Sequence, residues 1–179
     1  MSTNKPQAPV RSPNLDPHTA GLLAMLDAKG VPPMHELSVE DARKAALGYI
    51  GLQGPQQAVA QVTEHTIEVE GGSIQARVYK PHLNGPLPMV VMYHGGGFVI
   101  GNLDVIDNIA RQICDLSQAA IITIGYRKGP EHRFPIPSED AYAGLLWAVS
   151  KAGELGLDAS RIATLGDSAG GNLATVVTR

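Results

Sequence analysis

Apolar positions along the chain change their period twice, and each change predicts a different kind of element. Over residues 16–30, Leu22, Leu23 and Leu26 recur on one face of a short amphipathic helix. Asp16 is its N-cap, Pro17 its first helical residue and Gly30 its stop. A second helix starts at Ser38, where "SVED" lets Asp41 complete a capping box and Ala42, Ala45, Ala46, Tyr49 and Ile50 form the buried stripe until "GLQGPQQ" ends it. From Val62 the period becomes two. Ile67 and Val69 alternate with Thr66, Glu68 and Glu70, "GGS" turns the chain, and Ile74, Ala76 and Val78 alternate on the way back, which predicts a β-hairpin.

The next strands read differently. "PLPMVVMYH", "AAIITIGY" and "SRIATLGD" are nearly continuous apolar runs, as expected of parallel strands covered on both faces. Helices separate them. In "VIDNIARQICDL" a stripe of Ile106, Ile109, Ile113 and Leu116 is predicted to pack, with Cys114 beside it as a buried thiol. Another helix starts near Ser138 in "SEDAYAGLLWAVSKAG", with Glu139 and Asp140 favouring the dipole and Leu145, Leu146 and Val149 as its apolar residues. The fold class is therefore α/β, an antiparallel hairpin followed by a parallel βαβαβ unit with right-handed crossovers. The expected division is a flexible arm over 1–15, containing Pro6, Pro9 and Pro13, a helical segment over 16–60 and a core over 61–179.

Composition narrows the function classes. Hydrophobic residues at 44% and charged residues at 17% are too apolar for a disordered chain, so most of the 179 residues should fold. A formal net charge of −3 without a Lys/Arg block speaks against nucleic acid and anionic membrane surfaces as partners. No run approaches the ~18 apolar residues of a membrane span, and the polar start lacks a signal-peptide core, so a cytoplasmic location is expected. With Cys114 as the only cysteine, an internal disulfide and a zinc site of cysteines are excluded, and no metal site is expected.

Candidate chemistry sits at the ends of two predicted parallel strands. In "LGDSAGG", Gly166 and Gly170 flank Ser168 where a strand hands over to a helix, and the strained turn lifts the hydroxyl clear of the sheet. Alone, this motif also fits a glycine-rich turn with a capping serine, or a phosphate nest at the helix N-terminus. The second motif is "YHGGGFVIG". Acyl transfer builds negative charge on a carbonyl oxygen, and Gly95, Gly96 and Gly97 allow backbone N–H groups to approach it, with the N–H of Ala169 completing the hole. Both motifs lie at C-terminal strand ends, where open α/β sheets bind ligands. Asp167 is read as a hydrogen-bonding support of the turn.

Together "HGGGF", "GDSAGG" and "YRKGPEHRFP" make the chain resemble the hormone-sensitive-lipase family of bacterial esterases, α/β-hydrolases, from about residue 15 to 179. The resemblance implies Ser168 as nucleophile, an oxyanion hole from the glycines after His94 and from Ala169, and His94 as the residue that steadies the loop. It also implies a cap formed by the N-terminal helical segment, small carboxylic esters as substrates and no cofactor. Gly125, Lys128 and Gly129 depart from the family's usual Asp, Leu and Ala, which is expected to loosen that turn, whereas Arg127 and Glu131 are read as holding it by polar contacts.

In this fold the triad follows the order Ser, acid, His. After Ser168 only "AGGNLATVVTR" follows, without Asp, Glu or His, and all six histidines lie upstream. The expectation is a truncated α/β-hydrolase fold whose oxyanion hole alone would supply roughly 10³–10⁴-fold acceleration. The alternatives are a non-catalytic module binding small ligands and an inactive gene fragment. "RIATL" would then be an apolar sheet edge, expected to drive aggregation, dimerisation, or pairing with a complementing C-terminal fragment.

Overall fold

The structure, a computed structural model, describes residues 12–30 and 32–179. The arm expected over 1–15 therefore lies outside the described residues as far as residue 11. The chain divides into two compact units, Met1–Leu37 and Ser38–Arg179.

In the first unit α1 spans Pro17–Ala28, and the Asp16 carboxylate accepts from the backbone N–H of His18 at 2.9 Å and of Thr19 at 3.1 Å. Gly30 follows the helix at φ 62°, the left-handed value a glycine supplies cheaply. No residue of α1 is buried, and Leu22 of the predicted stripe is exposed. A short 3₁₀ turn, Met34–Glu36, follows.

The second unit opens with α2, Val39–Leu47. Its cap is the predicted one: Asp41 N–H donates to Ser38 Oγ at 3.1 Å, and the Ser38 hydroxyl donates to the Asp41 carboxylate at 2.7 Å. The buried stripe shrinks to Ala42 and Ala46, because the helix ends at Leu47 and Tyr49 and Ile50 continue into an exposed 3₁₀ turn.

Five strands follow: β1 Gln61–Val69, β2 Gly72–Lys80, β3 Leu87–Tyr93, β4 Ala120–Gly125 and β5 Leu157–Gly166. Helix α3, Asp107–Ser117, joins β3 to β4; α4, Ile136–Lys151, joins β4 to β5; α5, Ala169–Val176, follows β5. The sheet order is β1-β2-β4-β3-β5. β1 and β2 form the antiparallel hairpin, β2 pairs antiparallel with β4, and β3 pairs parallel with both β4 and β5. This is the predicted fold class.

Alternation along the strands builds two cores. On one face Ile74, Ala76, Val78, Met89, Val91, Ile122 and Ile124 pack with residues of α4 and α5. On the other, Tyr79, Met92 and Ile121 pack with Ile106, Ala110 and Cys114 of the α3 region. The α3 stripe is thus displaced from the predicted one: Ile109 and Leu116 are exposed, because spacings of three and ten from Ile106 rotate them off the face that Ala110 and Cys114 occupy. Burial pushes the Cys114 thiol up to about 11.

The same displacement occurs in α4. The helix begins at Ile136 rather than near Ser138, and it buries Pro137, Asp140, Ala141, Gly144 and Ala148 while Leu146 and Val149 are exposed. At Gly144 a Cβ would stand 2.8 Å from Ile124 Cδ1, so the absent side chain is what lets the helix lie close to β4. Asp140 is not a dipole partner but the buried end of an ion pair with Arg127, at 2.7 Å. β5 also departs from expectation. It is the sheet edge, and apart from Leu157 its residues are exposed or partly so, which a strand covered on both faces would not show.

Candidate active site

β3 turns outward to β4 on one side, and the chain then crosses back to β5 on the other. That reversal leaves a crevice at the C-terminal ends of β3 and β5, the place where open α/β sheets receive ligands. The register pairs Tyr93 with Gly166, so the two glycine-rich segments emerge side by side.

At the end of β5 the chain needs a turn too sharp for ordinary dihedrals. Ser168 takes φ 51° and ψ −116°, a conformation that costs a non-glycine residue about 1–3 kcal/mol and persists only where the surroundings dictate it. The surroundings are backbone. A Cβ on Gly170 would lie 2.0 Å from Tyr93 O, and one on Gly166 would lie 2.2 Å from Gly170 C, so both positions must lack a side chain. The Gly170 N–H donates to Asp167 O at 2.8 Å and the Asn172 N–H to Ser168 O at 3.1 Å, closing the elbow into α5. Ser168 is exposed, and its hydroxyl has no hydrogen-bond partner among the described residues.

At the end of β3 the glycine loop is held from several directions. His94 is fully buried, its Nδ1 lies 2.7 Å from Gly95 O, and Tyr126 stacks on its ring at 4.4 Å while donating its hydroxyl to His94 O at 2.7 Å. Burial lowers the His94 pKa to about 4, so near neutrality the ring is uncharged and serves as a fixed wedge rather than a titrating base. Gly96 (φ 121°) and Gly97 (φ 60°) carry the reversal, and the N–H groups of Val99 and Ile100 donate to Gly96 O at 3.0 and 2.9 Å.

One bond ties the halves together. The Gly95 N–H donates to Asp167 Oδ1 at 2.8 Å, linking the loop to the residue before Ser168. Asp167 thus bonds both to the glycine loop and, through its carbonyl, to Gly170 in the elbow. Gly95 is engaged, whereas the amides of Gly96, Gly97 and Ala169 have no acceptor among the described residues.

Arg43 is a residue the sequence pattern did not single out. From α2 its Nε donates to Val99 O at 2.9 Å, its Nη2 to Gly129 O at 2.8 Å, and its fork grips the Glu131 carboxylate at 2.8 and 2.7 Å. It thereby joins α2, the glycine loop and the turn after β4. The Gly129 N–H adds a bond to Phe98 O at 2.8 Å, so the turn expected to be loose is tied at several points. The signal available was Arg43 between Ala42 and Ala46, a charged residue beside a buried face.

Neither a histidine nor a carboxylate shares a hydrogen bond with Ser168 among the described residues. His132 instead lines a cleft of about 760 Å³ bounded by α2, Gly101 and the turn after β4. Neither Ser168 nor residues 95–97 line that cleft, so it lies beside the elbow rather than on it.

A family model described as the alpha/beta hydrolase fold matches residues 90–179. The chain belongs to the alpha/beta hydrolase fold family. Among curated relatives, it is 39% identical to carboxylic ester hydrolase LipN of Mycobacterium tuberculosis, covering 87% of this chain and 43% of the relative. It is 32% identical to ethyl acetate hydrolase of Pseudomonas putida, covering 92% and 54%. Among solved structures, the ester-hydrolase EH1AB1 from the metagenome of Lake Arreo superposes with TM-score 0.85 at 37% identity, over 91% of this chain and 54% of that one. A thermostable esterase from Pseudomonas putida superposes with TM-score 0.87 at 33% identity, over 94% and 53%. The chain spans about half the length of these alpha/beta hydrolases. Its named relatives are esterases and ester hydrolases, as the resemblance implied.

Proposed function

We propose that the chain carries the nucleophile and oxyanion hole of a carboxylic ester hydrolase. The observation that carries this reading is the strained, exposed Ser168 tied through Asp167 to the glycine loop. The Ser168 oxygen attacks the ester carbonyl carbon, and the charge that develops on the carbonyl oxygen is met by the amides of Gly96, Gly97 and Ala169. Such preorganised donors act without reorienting during the reaction. His94 and Arg43 position the loop and take no proton from the serine. The hydroxyl still needs a base oriented by a third group.

The same proposal takes 16–60 as the helical cap segment and 61–179 as the N-terminal part of the hydrolase core, with a cytoplasmic site of action and no cofactor. Arg43 supports it for α2, which it binds to the glycine loop. Among the described residues no helix is long and apolar enough to cross a membrane. Association through β5 with a second copy or a complementing segment is supported by its edge position and by Ile162 and Leu165, each 37% exposed. Sedimentation of the chain as a monomer at all concentrations would rule out the second copy.

A second reading is a binding module for small esters or acids, favoured by the absence of a hydrogen-bonded base at Ser168 among the described residues. Incubation with a fluorophosphonate probe separates the two. Stoichiometric labelling that disappears in Ser168→Ala is expected, with p-nitrophenyl butyrate turnover raised at most about 10³–10⁴-fold over water. Failure of the unmodified chain to label would overturn the hydrolase reading.

A further inference from the structure

The cleft beside the glycine loop contains a cation with no directly paired counter-ion among the described residues. Its lining carries two carboxylates, and both are taken: Glu131 by the Arg43 fork at 2.7 Å and Glu40 by Lys44 at 2.6 Å. Lys128 stands half-buried on the same lining and has no ion-pair or hydrogen-bond partner for its ammonium among the described residues. Burial first, and then the nearby Arg43, press its pKa below the ordinary value against the opposing pull of the Glu131 carboxylate. A partly desolvated charge of this kind is costly until an anion meets it.

The remaining lining describes what that anion is attached to. Val39, Leu47 and Val105 supply apolar wall. Asn102 accepts the N–H groups of Asp104 and Val105 on its Oδ1, at 3.1 and 3.0 Å, so its Nδ2 is the end left to donate. One ammonium, one amide and the His132 imidazole suit a monoanionic carboxylate on a short aliphatic chain better than a phosphate dianion, which would call for a second fixed cation or a guanidinium fork. The Arg43 fork is already filled.

The cleft also adjoins the reacting centre. Gly101 forms part of its wall and presses against the oxyanion loop so closely that a Cβ there would lie 2.6 Å from Gly95 O and 2.8 Å from His94 Nδ1. A molecule whose carboxylate reached Lys128 would thus extend along Gly101 toward residues 95–97. In the motif this turn resembles, the position of Lys128 is a leucine, which could make no such contact.

We infer that Lys128, assisted by Asn102, selects ester substrates that carry a free carboxylate, the half-esters of short dicarboxylic acids. The word substrate rests on the ester-hydrolase reading, but the binding preference does not, so the test is made on the full chain with Ser168→Ala, where no turnover occurs. Titration calorimetry at low salt compares monomethyl glutarate with its neutral counterpart, dimethyl glutarate, and with inorganic phosphate. The half-ester is expected to bind at least about tenfold more tightly than the diester, with phosphate weaker than the half-ester. In Lys128→Leu the preference should vanish while diester binding is kept, and in Lys128→Gln it should fall likewise, which guards against a folding defect in either variant. Equal affinities, a preference that survives both substitutions, phosphate binding as tightly as the half-ester, or no half-ester binding at all would overturn the inference. Loss of fluorophosphonate labelling with the preference intact would instead count against the hydrolase reading alone.

Discussion

β3 and β5 run side by side in register and deliver the two halves of the candidate site, yet they are supported in opposite ways. Met89, Val91 and Tyr93 of β3 are at most 1% exposed, with strands on both sides. β5 is an edge, and its residues from Ala159 to Ala163 are exposed. The loop after β3 is further wedged by His94, stacked by Tyr126 and gripped by Arg43. The elbow after β5 borrows its rigidity instead. Gly170 lies against Tyr93 O, Gly95 reaches across to Asp167, and α5 buries Leu173 and Ala174. The position of Ser168 is therefore set more by its neighbour's strand than by its own.

The largest expected effect tests that dependence directly. Gly170→Ala would place a methyl group 2.0 Å from a backbone oxygen of β3, which no side-chain rotation relieves. We expect a loss of about 4 kcal/mol or more, or no cooperative melt, by circular dichroism. Gly153→Ala, where a Cβ meets nothing within 4 Å, is the matched control and should change stability by less than about 1 kcal/mol. Equal melts for the two variants would break the comparison.

The buried wedge of the β3 half should show itself through pH. His94 is held at about 4 against an ordinary 6.5, so between those values the unfolded chain binds a proton that the native chain does not. Stability is then full above pH 6.5 and falls as pH drops toward 4, by about 3 kcal/mol at the limit. Arg43 holds the Glu131 carboxylate at about 2 from an ordinary 4.5, and its contribution is lost mainly below 4.5, so the interval above pH 5 isolates the histidine. Urea titrations at several pH values should show the slope in the native sequence and a flatter one in His94→Gln. Identical slopes would mean that the ring is not the wedge described.

A paired substitution sharpens the contrast between the strands themselves. Met89 and Ile162 face one another across the β3–β5 ladder, but Met89 is 1% exposed and Ile162 is 37% exposed. Truncation to alanine should cost about 3 kcal/mol at Met89 and about 1 kcal/mol at Ile162, measured by urea unfolding. Similar costs would show that β5 is better covered than its exposure indicates.

The strands, the hairpin and both glycine turns were legible because period two, glycine runs and a capping box are local signals. The helix contacts were not. Large apolar residues marked Ile109, Leu116, Leu146 and Val149, but the faces that meet the sheet are made by Ala110, Cys114, Ala141, Gly144 and Ala148. Small residues let a helix approach the sheet closely, and the larger ones are then left at the flanks, which a count of hydrophobic positions reverses. The polar ties were hidden for another reason. Arg43 meets acceptors 56 to 88 residues away, and Gly95 meets Asp167 across 72, so no short window contains both partners.

Arg43 supplies the smallest effect and the finest test. Its side chain is 34% exposed and its partner Glu131 is more so, which discounts the charge and leaves the hydrogen bonds to Val99 O and Gly129 O as the larger part. Arg43→Ala should therefore cost only about 1–2 kcal/mol of global stability. Amide hydrogen exchange should rise selectively at Val99, Ile100 and Gly129, where the glycine loop meets the turn after β4. Arg43→Lys keeps the charge but cannot reach three acceptors with one ammonium, so it should protect those amides little better than alanine. If lysine restored full protection, the charge facing Glu131 rather than the fork would be what holds the loop.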